Sequence, residues 1–177
     1  SLLLARPNAS KAVSSIKPNW KEVPIQPKSI ERENPNVFTL LFCDLKAGDT
    51  QEVGINTTLA DEHNWKRLGL QGNIWSRSAQ FRRTLIDKQF PPDSGFQVTY
   101  QFRIDENAFE TVKLSLDVAV ERPWLYSITL NGKPVDFTDA QRWFDPNIRR
   151  ASISQTVQPG VNFLQLSVEQ MHPLCEI

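Results

Sequence analysis

Between residues 96 and 104 the chain reads Phe96-Gln97-Val98-Thr99-Tyr100-Gln101-Phe102-Arg103-Ile104, apolar at every even position and polar at every odd one. That two-residue period belongs to a strand with one buried face, and a helix cannot satisfy it. The same alternation recurs in Val112-Lys113-Leu114-Ser115-Leu116-Asp117-Val118-Ala119-Val120 and again in Trp124-Leu125-Tyr126-Ser127-Ile128-Thr129-Leu130. Asn131-Gly132 follows at once. This dipeptide suits a type I′ hairpin, whose two central residues both need positive φ, so the chain is expected to fold back there with Val135 and Phe137 on the return strand.

Further strand signals lie on both sides of this block. Val37-Phe38-Thr39-Leu40-Leu41-Phe42 is apolar and rich in strand formers, with a polar turn at Lys46-Ala47-Gly48-Asp49. Ala151-Ser152-Ile153 and Thr156-Val157 precede a Pro159-Gly160 turn, and Asn162-Phe163-Leu164-Gln165-Leu166-Ser167-Val168 puts Leu164, Leu166 and Val168 on one side. A helical turn is expected only around Leu59 to Trp65. Short strands separated by turn signals, without an amphipathic helix of useful length, predict an all-β fold: an antiparallel β-sandwich. Residues 1–35 differ in texture. Pro7, Pro18, Pro24, Pro27 and Pro35 break any helix there, so an extended lead-in or linker is expected, anchored by Trp20 and Ile25, with the sandwich over 36–177.

Composition narrows the function classes. The 177 residues carry 20 Lys+Arg against 20 Asp+Glu, and this balance removes the electrostatic reason to expect a nucleic-acid partner or an acidic membrane surface. No run of apolar residues is long enough to span a bilayer, so no membrane insertion is expected. Cys43 and Cys175 are too few for a disulfide framework and lack zinc spacing; they are read either as two buried thiols or as a pair across the fold. His63 and His172 have no neighbouring ligand at metal spacing and read as surface or packing residues. No cofactor is implied. Asp136-Phe137-Thr138-Asp139 and Asp105-Glu106-Asn107 place oxygen ligands close together, but neither has the pattern of a calcium loop. Asn8-Ala9-Ser10 and Asn56-Thr57-Thr58 match the glycosylation acceptor, a pattern short enough to arise by chance.

The motifs of phosphate binding, serine hydrolysis and zinc proteolysis are all missing. A glycosidase needs only two carboxylates, and Glu121, Asp136, Asp139 and Asp145 all fall in expected loops of one region, where solvated acids are the ordinary case. The aromatic residues are more pointed. A sugar face stacks on an indole while flanking polar groups bond its hydroxyls. Arg142-Trp143-Phe144-Asp145-Pro146-Asn147-Ile148-Arg149-Arg150 and Gly72-Asn73-Ile74-Trp75-Ser76-Arg77 both carry that mixture. Trp75, Trp143, Asp145, Asn147 and Arg149 are therefore the candidate carbohydrate contacts. The competing reading has Trp143 or Phe144 plugging one end of the sandwich, Arg149 or Arg150 pairing with a carboxylate, and Trp124 and Trp20 in core or docking roles.

The segment from Trp124 to Val135, then Trp143-Phe144-Asp145 and Ile148, then Ile153 to Leu166, resembles the galactose-binding-like jelly roll known as the sugar-binding domain of family 2 glycoside hydrolases. The shared features are the Asn131-Gly132 hairpin, a loop with Trp and Asp, and Gly160-Val161-Asn162 before a final apolar strand. Trp20 and the stretch Asn34 to Cys43 are similar to the strand that precedes such a jelly roll in multidomain bacterial hydrolases of the rhamnosidase-like kind, with departures at Phe38, Leu41 and Phe42. The resemblance implies a non-catalytic accessory domain that braces a catalytic domain of the same polypeptide, in a secreted or periplasmic enzyme. A carbohydrate-binding module is the alternative, and an autonomous hydrolase the third. No catalytic residue carries over, because the matched positions are turns and core. The apolar Met171 to Ile177 ending leads us to expect a domain excised from a longer chain.

Overall fold

Two strands that alternate strictly make the natural centre of a sheet, and the computed structural model, which describes residues 36–70, 83–111 and 114–177, has them there. Strand β3 (Phe96–Ile104) pairs antiparallel with β9 (Gly160–Val168), from Phe96 opposite Val168 to Ile104 opposite Gly160. Around them a six-stranded sheet runs in the order β2-β1-β3-β9-β5-β6, with β1 at Phe42–Ala47, β2 at Thr50–Asn56, β5 at Ser127–Leu130 and β6 at Lys133–Pro134. A three-stranded sheet, β4-β8-β7, is built from Asp117–Glu121, Asp145–Ser152 and Gln141–Trp143. All pairings are antiparallel. The sheets share one core, in which Val120, Ile153 and Val157 join Val98, Leu130, Leu164 and Leu166. This is an all-β sandwich, and Phe38–Ile177 form one compact unit.

The turn forms where the sequence predicts, but its return strand is only Lys133–Pro134 and stops short of Val135 and Phe137. Asn131 and Gly132 have φ of 51° and 77°, the left-handed pair a type I′ turn demands. Asn131 also ties β5 to β9: its Oδ1 accepts from Phe163 N at 2.9 Å and its Nδ2 donates to Asn162 Oδ1 at 2.9 Å. Asn162, fully buried, satisfies its amide on loop backbone. Its Oδ1 accepts from Gln158 N at 2.9 Å, and its Nδ2 donates to Gln158 O at 2.7 Å and Gly160 O at 3.1 Å. Gly95 is required for a different reason. A Cβ there would lie 2.0 Å from Val168 O, so only glycine lets this backbone meet the end of β9.

Several elements depart from the sequence reading. The first strand is not Val37 to Phe42 but Phe42–Ala47, because the alternation that faces the core is Cys43, Leu45 and Ala47; Val37 and Phe38 stay 63% and 79% exposed. β2 carries no strong apolar pattern because it is an edge strand. The expected turn at Leu59 to Trp65 is a full helix, α1 (Thr57–Arg67), capped by Asn56, whose side chain accepts from Thr58 N at 3.0 Å. Its buried face is Ala60, Asp61, Asn64 and Trp65, half of it polar, which hides the helix from a hydrophobic pattern. Asp61 is satisfied there by Trp65 Nε1 at 3.1 Å. Two short helices, α2 (Arg83–Ile86) and α3 (Glu106–Thr111), complete the described elements.

Where Trp124 to Leu130 reads as one strand, Arg122 turns left-handed with φ of 48° and Pro123–Leu125 forms a 3-10 turn before β5. Trp124 is consequently 59% exposed and is not a core residue. Cys43 and Cys175 are both buried and unpaired. Burial, with Asp44 and Glu52 nearby, pushes the Cys43 thiol up to about 11, so it remains protonated at neutral pH. The C-terminal residues close the core: Tyr126 Oη accepts from Glu176 N at 2.8 Å, and Ile177 N reaches Asp61 Oδ1 at 3.4 Å.

Candidate functional site

The expected contacts Trp143, Asp145, Asn147 and Arg149 all fall on the β7–β8 hairpin. Trp75 lies outside the described residues. The hairpin is unusually tight. Trp143 is the register partner of Asp145, which leaves Phe144 alone at the tip with φ of 54°. A bulky residue held left-handed costs on the order of 1–3 kcal/mol, so the surrounding structure must enforce it. Two bonds do so on the β8 side: Asp145 Oδ1 accepts from Asn147 N at 2.7 Å, and Asn147 O accepts from Arg122 N at 2.8 Å.

The result is an aromatic platform. Phe144 is 79% exposed and its ring centroid lies 4.5 Å from that of the half-buried Trp143, tilted by 40°. The residue presented to solvent is thus Phe144, with Trp143 backing it. The sequence points to the tryptophan because an indole is the better stacking surface for a sugar; no glycine or Asn-Gly marks this tip, and the exposure and left-handed φ of Phe144 make it the outward ring.

Register sorts the charges of this sheet between two faces. Arg149 sits opposite Arg142 on one side and the buried Val120 on the other, so these three share the face that borders the core. Arg150, one residue on, pairs in register with Gln141 and Ala119 on the opposite face. There its Nε lies 3.1 Å from Asp117 Oδ2 and its Nη2 donates to Gln141 Oε1 at 3.3 Å. Asp136, Asp139 and Ser152 join Asp117, Gln141 and Arg150 in lining an open cleft of about 430 Å³.

Of the acids that sequence reasoning grouped together, only Asp136 and Asp139 meet in this cleft. Glu121 pairs with Arg122, and Asp145 caps its own turn. The bonds from the Thr138 hydroxyl at 2.6 Å and Thr138 N at 2.8 Å hold the Asp136 carboxyl below its usual range. That is the reverse of what a proton-donating glycosidase acid needs. Among the described residues no three His, Cys, Asp or Glu come together in a way that would hold a metal ion. His63 bonds Glu52 through Nδ1 at 2.9 Å, and the exposed His172 accepts from Leu174 N at 3.1 Å, so each ring is held by a local bond. No described helix is long and apolar enough to cross a membrane.

Comparison of the chain with protein-family models, with curated proteins and with solved structures gives no match.

Proposed function

We propose that the chain is a non-catalytic accessory domain of a polysaccharide-degrading glycoside hydrolase, a galactose-binding-like jelly roll that contacts carbohydrate through the β7–β8 hairpin. The observation that carries this reading is Phe144, an aromatic ring held exposed on a strained backbone and backed by Trp143. Strain of this kind collects at binding sites, and a ring with polar groups beside it suits a pyranose face. Asp145, Asn147 and Arg149 supply those polar groups from the same hairpin. The resemblance to sugar-binding domains of family 2 glycoside hydrolases supports the parent enzyme class and a secreted or periplasmic location.

Titration of the chain with plant and microbial polysaccharides, read by tryptophan fluorescence, tests this directly. Saturable quenching whose affinity weakens roughly two- to tenfold in Phe144→Ala is expected, since a lost stack is worth roughly 0.5–1.5 kcal/mol. Absence of quenching by every polysaccharide would refute it, and turnover of an aryl glycoside by this chain would overturn the non-catalytic assignment.

A second reading, in which the domain braces a catalytic neighbour, is favoured by a separate observation. Phe38, Leu41, Phe42 and Val53 are all more than half exposed around β1 and β2, an apolar surface of the kind domains bury against one another.

A further inference from the structure

The β7–β8 hairpin carries two cations that the fold leaves unused. Arg142 and Arg149 are cross-strand partners, which places their Cβ atoms roughly 5 Å apart on one face. Like charges so placed destabilise a sheet, and among the described residues no hydrogen bond or ion pair engages either guanidinium. Two neighbouring arginines, one in this sheet and one just after β4, are treated differently. Arg150 is bound by Asp117 and Gln141, and Arg122 lies against Glu121. Neutralising partners are thus present where packing needs them and missing at this one pair.

We propose that Arg142 and Arg149 form an oxyanion subsite, taking the carboxylate or sulfate of an acidic sugar whose ring lies on Phe144. This rests on the carbohydrate reading above and specifies its ligand class. Guanidinium groups carried by two cross-strand partners suit the planar bidentate demand of a carboxylate, and serve a sulfate ester equally well. Phe144, at the tip of the same hairpin, follows Arg142 by two residues, so one sugar unit can meet both. Arg142 is exposed and Arg149 half-buried, so both side chains of the pair reach solvent.

The test titrates the full chain with oligogalacturonate, a sulfated galactan oligomer and neutral xylo-oligosaccharide, by calorimetry and tryptophan fluorescence, at low and physiological salt. One or both acidic oligomers are expected to bind about tenfold tighter than the neutral one, with salt weakening only the acidic binding; which of them binds distinguishes carboxylate from sulfate. The double variant Arg142→Gln, Arg149→Gln should erase the preference for acidic oligomers, with circular dichroism confirming its fold. Equal affinity for neutral and acidic sugars, or a preference that survives the double variant, would overturn the subsite while leaving carbohydrate binding intact. If no sugar binds at all, the carbohydrate reading fails, and nitrogen-15 shifts of the arginine Nε groups with inorganic sulfate then decide the pair separately. Shifts at both arginines support an oxyanion site, and their absence overturns it.

Discussion

The two sheets of this sandwich are built by opposite rules. In the six-stranded sheet the inward residues of β1, β3, β5 and β9 are almost all apolar, and Asn131 and Asn162 join the β5–β6 turn to the start of β9 with every amide bond satisfied. In the three-stranded sheet β8 alternates poorly: Asn147, Ile148, Arg149 and Arg150 are all half-buried. One sheet spends its residues on stability. The other tolerates a left-handed Phe144, a left-handed Arg122 beside it and a facing pair of arginines. Violations of local preference gather where a protein acts rather than where it merely holds together.

Substitutions in the two sheets should therefore behave differently, and the largest effect is expected in the core. Leu130→Ala removes a fully buried side chain between β5 and β9 and should lower unfolding free energy by about 2–5 kcal/mol in urea titration. Next comes Asn162→Ala, which removes a fully buried amide and its bonds to Gln158, at about 0.5–1.5 kcal/mol per hydrogen bond lost. Its midpoint should fall without loss of the antiparallel circular-dichroism signature. At the tip of the other sheet Phe144→Gly should change stability by less than about 1 kcal/mol, because the relieved strain offsets the lost ring contact. The same variant should weaken carbohydrate-dependent fluorescence quenching. A destabilisation of the core kind at Phe144 would erase the distinction between the sheets.

The smallest effect concerns pH. Burial and the nearby Arg122 hold the His172 imidazole below its ordinary value. Its folded form therefore binds the proton less readily than the unfolded chain does. The stability it contributes is present above about pH 6.5 and is lost as pH falls through its folded value. His172→Gln should flatten that part of the stability curve relative to the parent, in thermal melts between neutral and mildly acidic pH.

Legibility in the sequence follows the same division. β3, β9 and the Asn131-Gly132 turn are readable because a one-sided strand and a left-handed turn each demand a particular residue pattern. Asn162 is readable as the residue that opens the last strand, though its link to Asn131, which joins residues 31 apart, is not. The helix α1 escapes because Asp61 and Asn64 occupy its buried face, and β1 is displaced because Cys43 and Ala47 are weaker signals than the exposed Val37 and Phe38. In the site, Trp143, Asp145, Asn147 and Arg149 are readable as a mixed aromatic and polar stretch. That Arg142 faces Arg149 is not, because the register depends on a one-residue tip and a bulge between Arg142 and Trp143 that no turn signal announces.

The measurement that bears most directly on this account is a nitrogen-15 NMR titration of the whole chain with oligogalacturonate, which reports every backbone amide at once. Shifts concentrated between Gln141 and Arg150, with the amides of β3 and β9 still, are the predicted result. Shifts centred on the exposed Phe38 to Phe42 surface, or spread through the six-stranded sheet, would contradict the assignment of binding to the strained sheet.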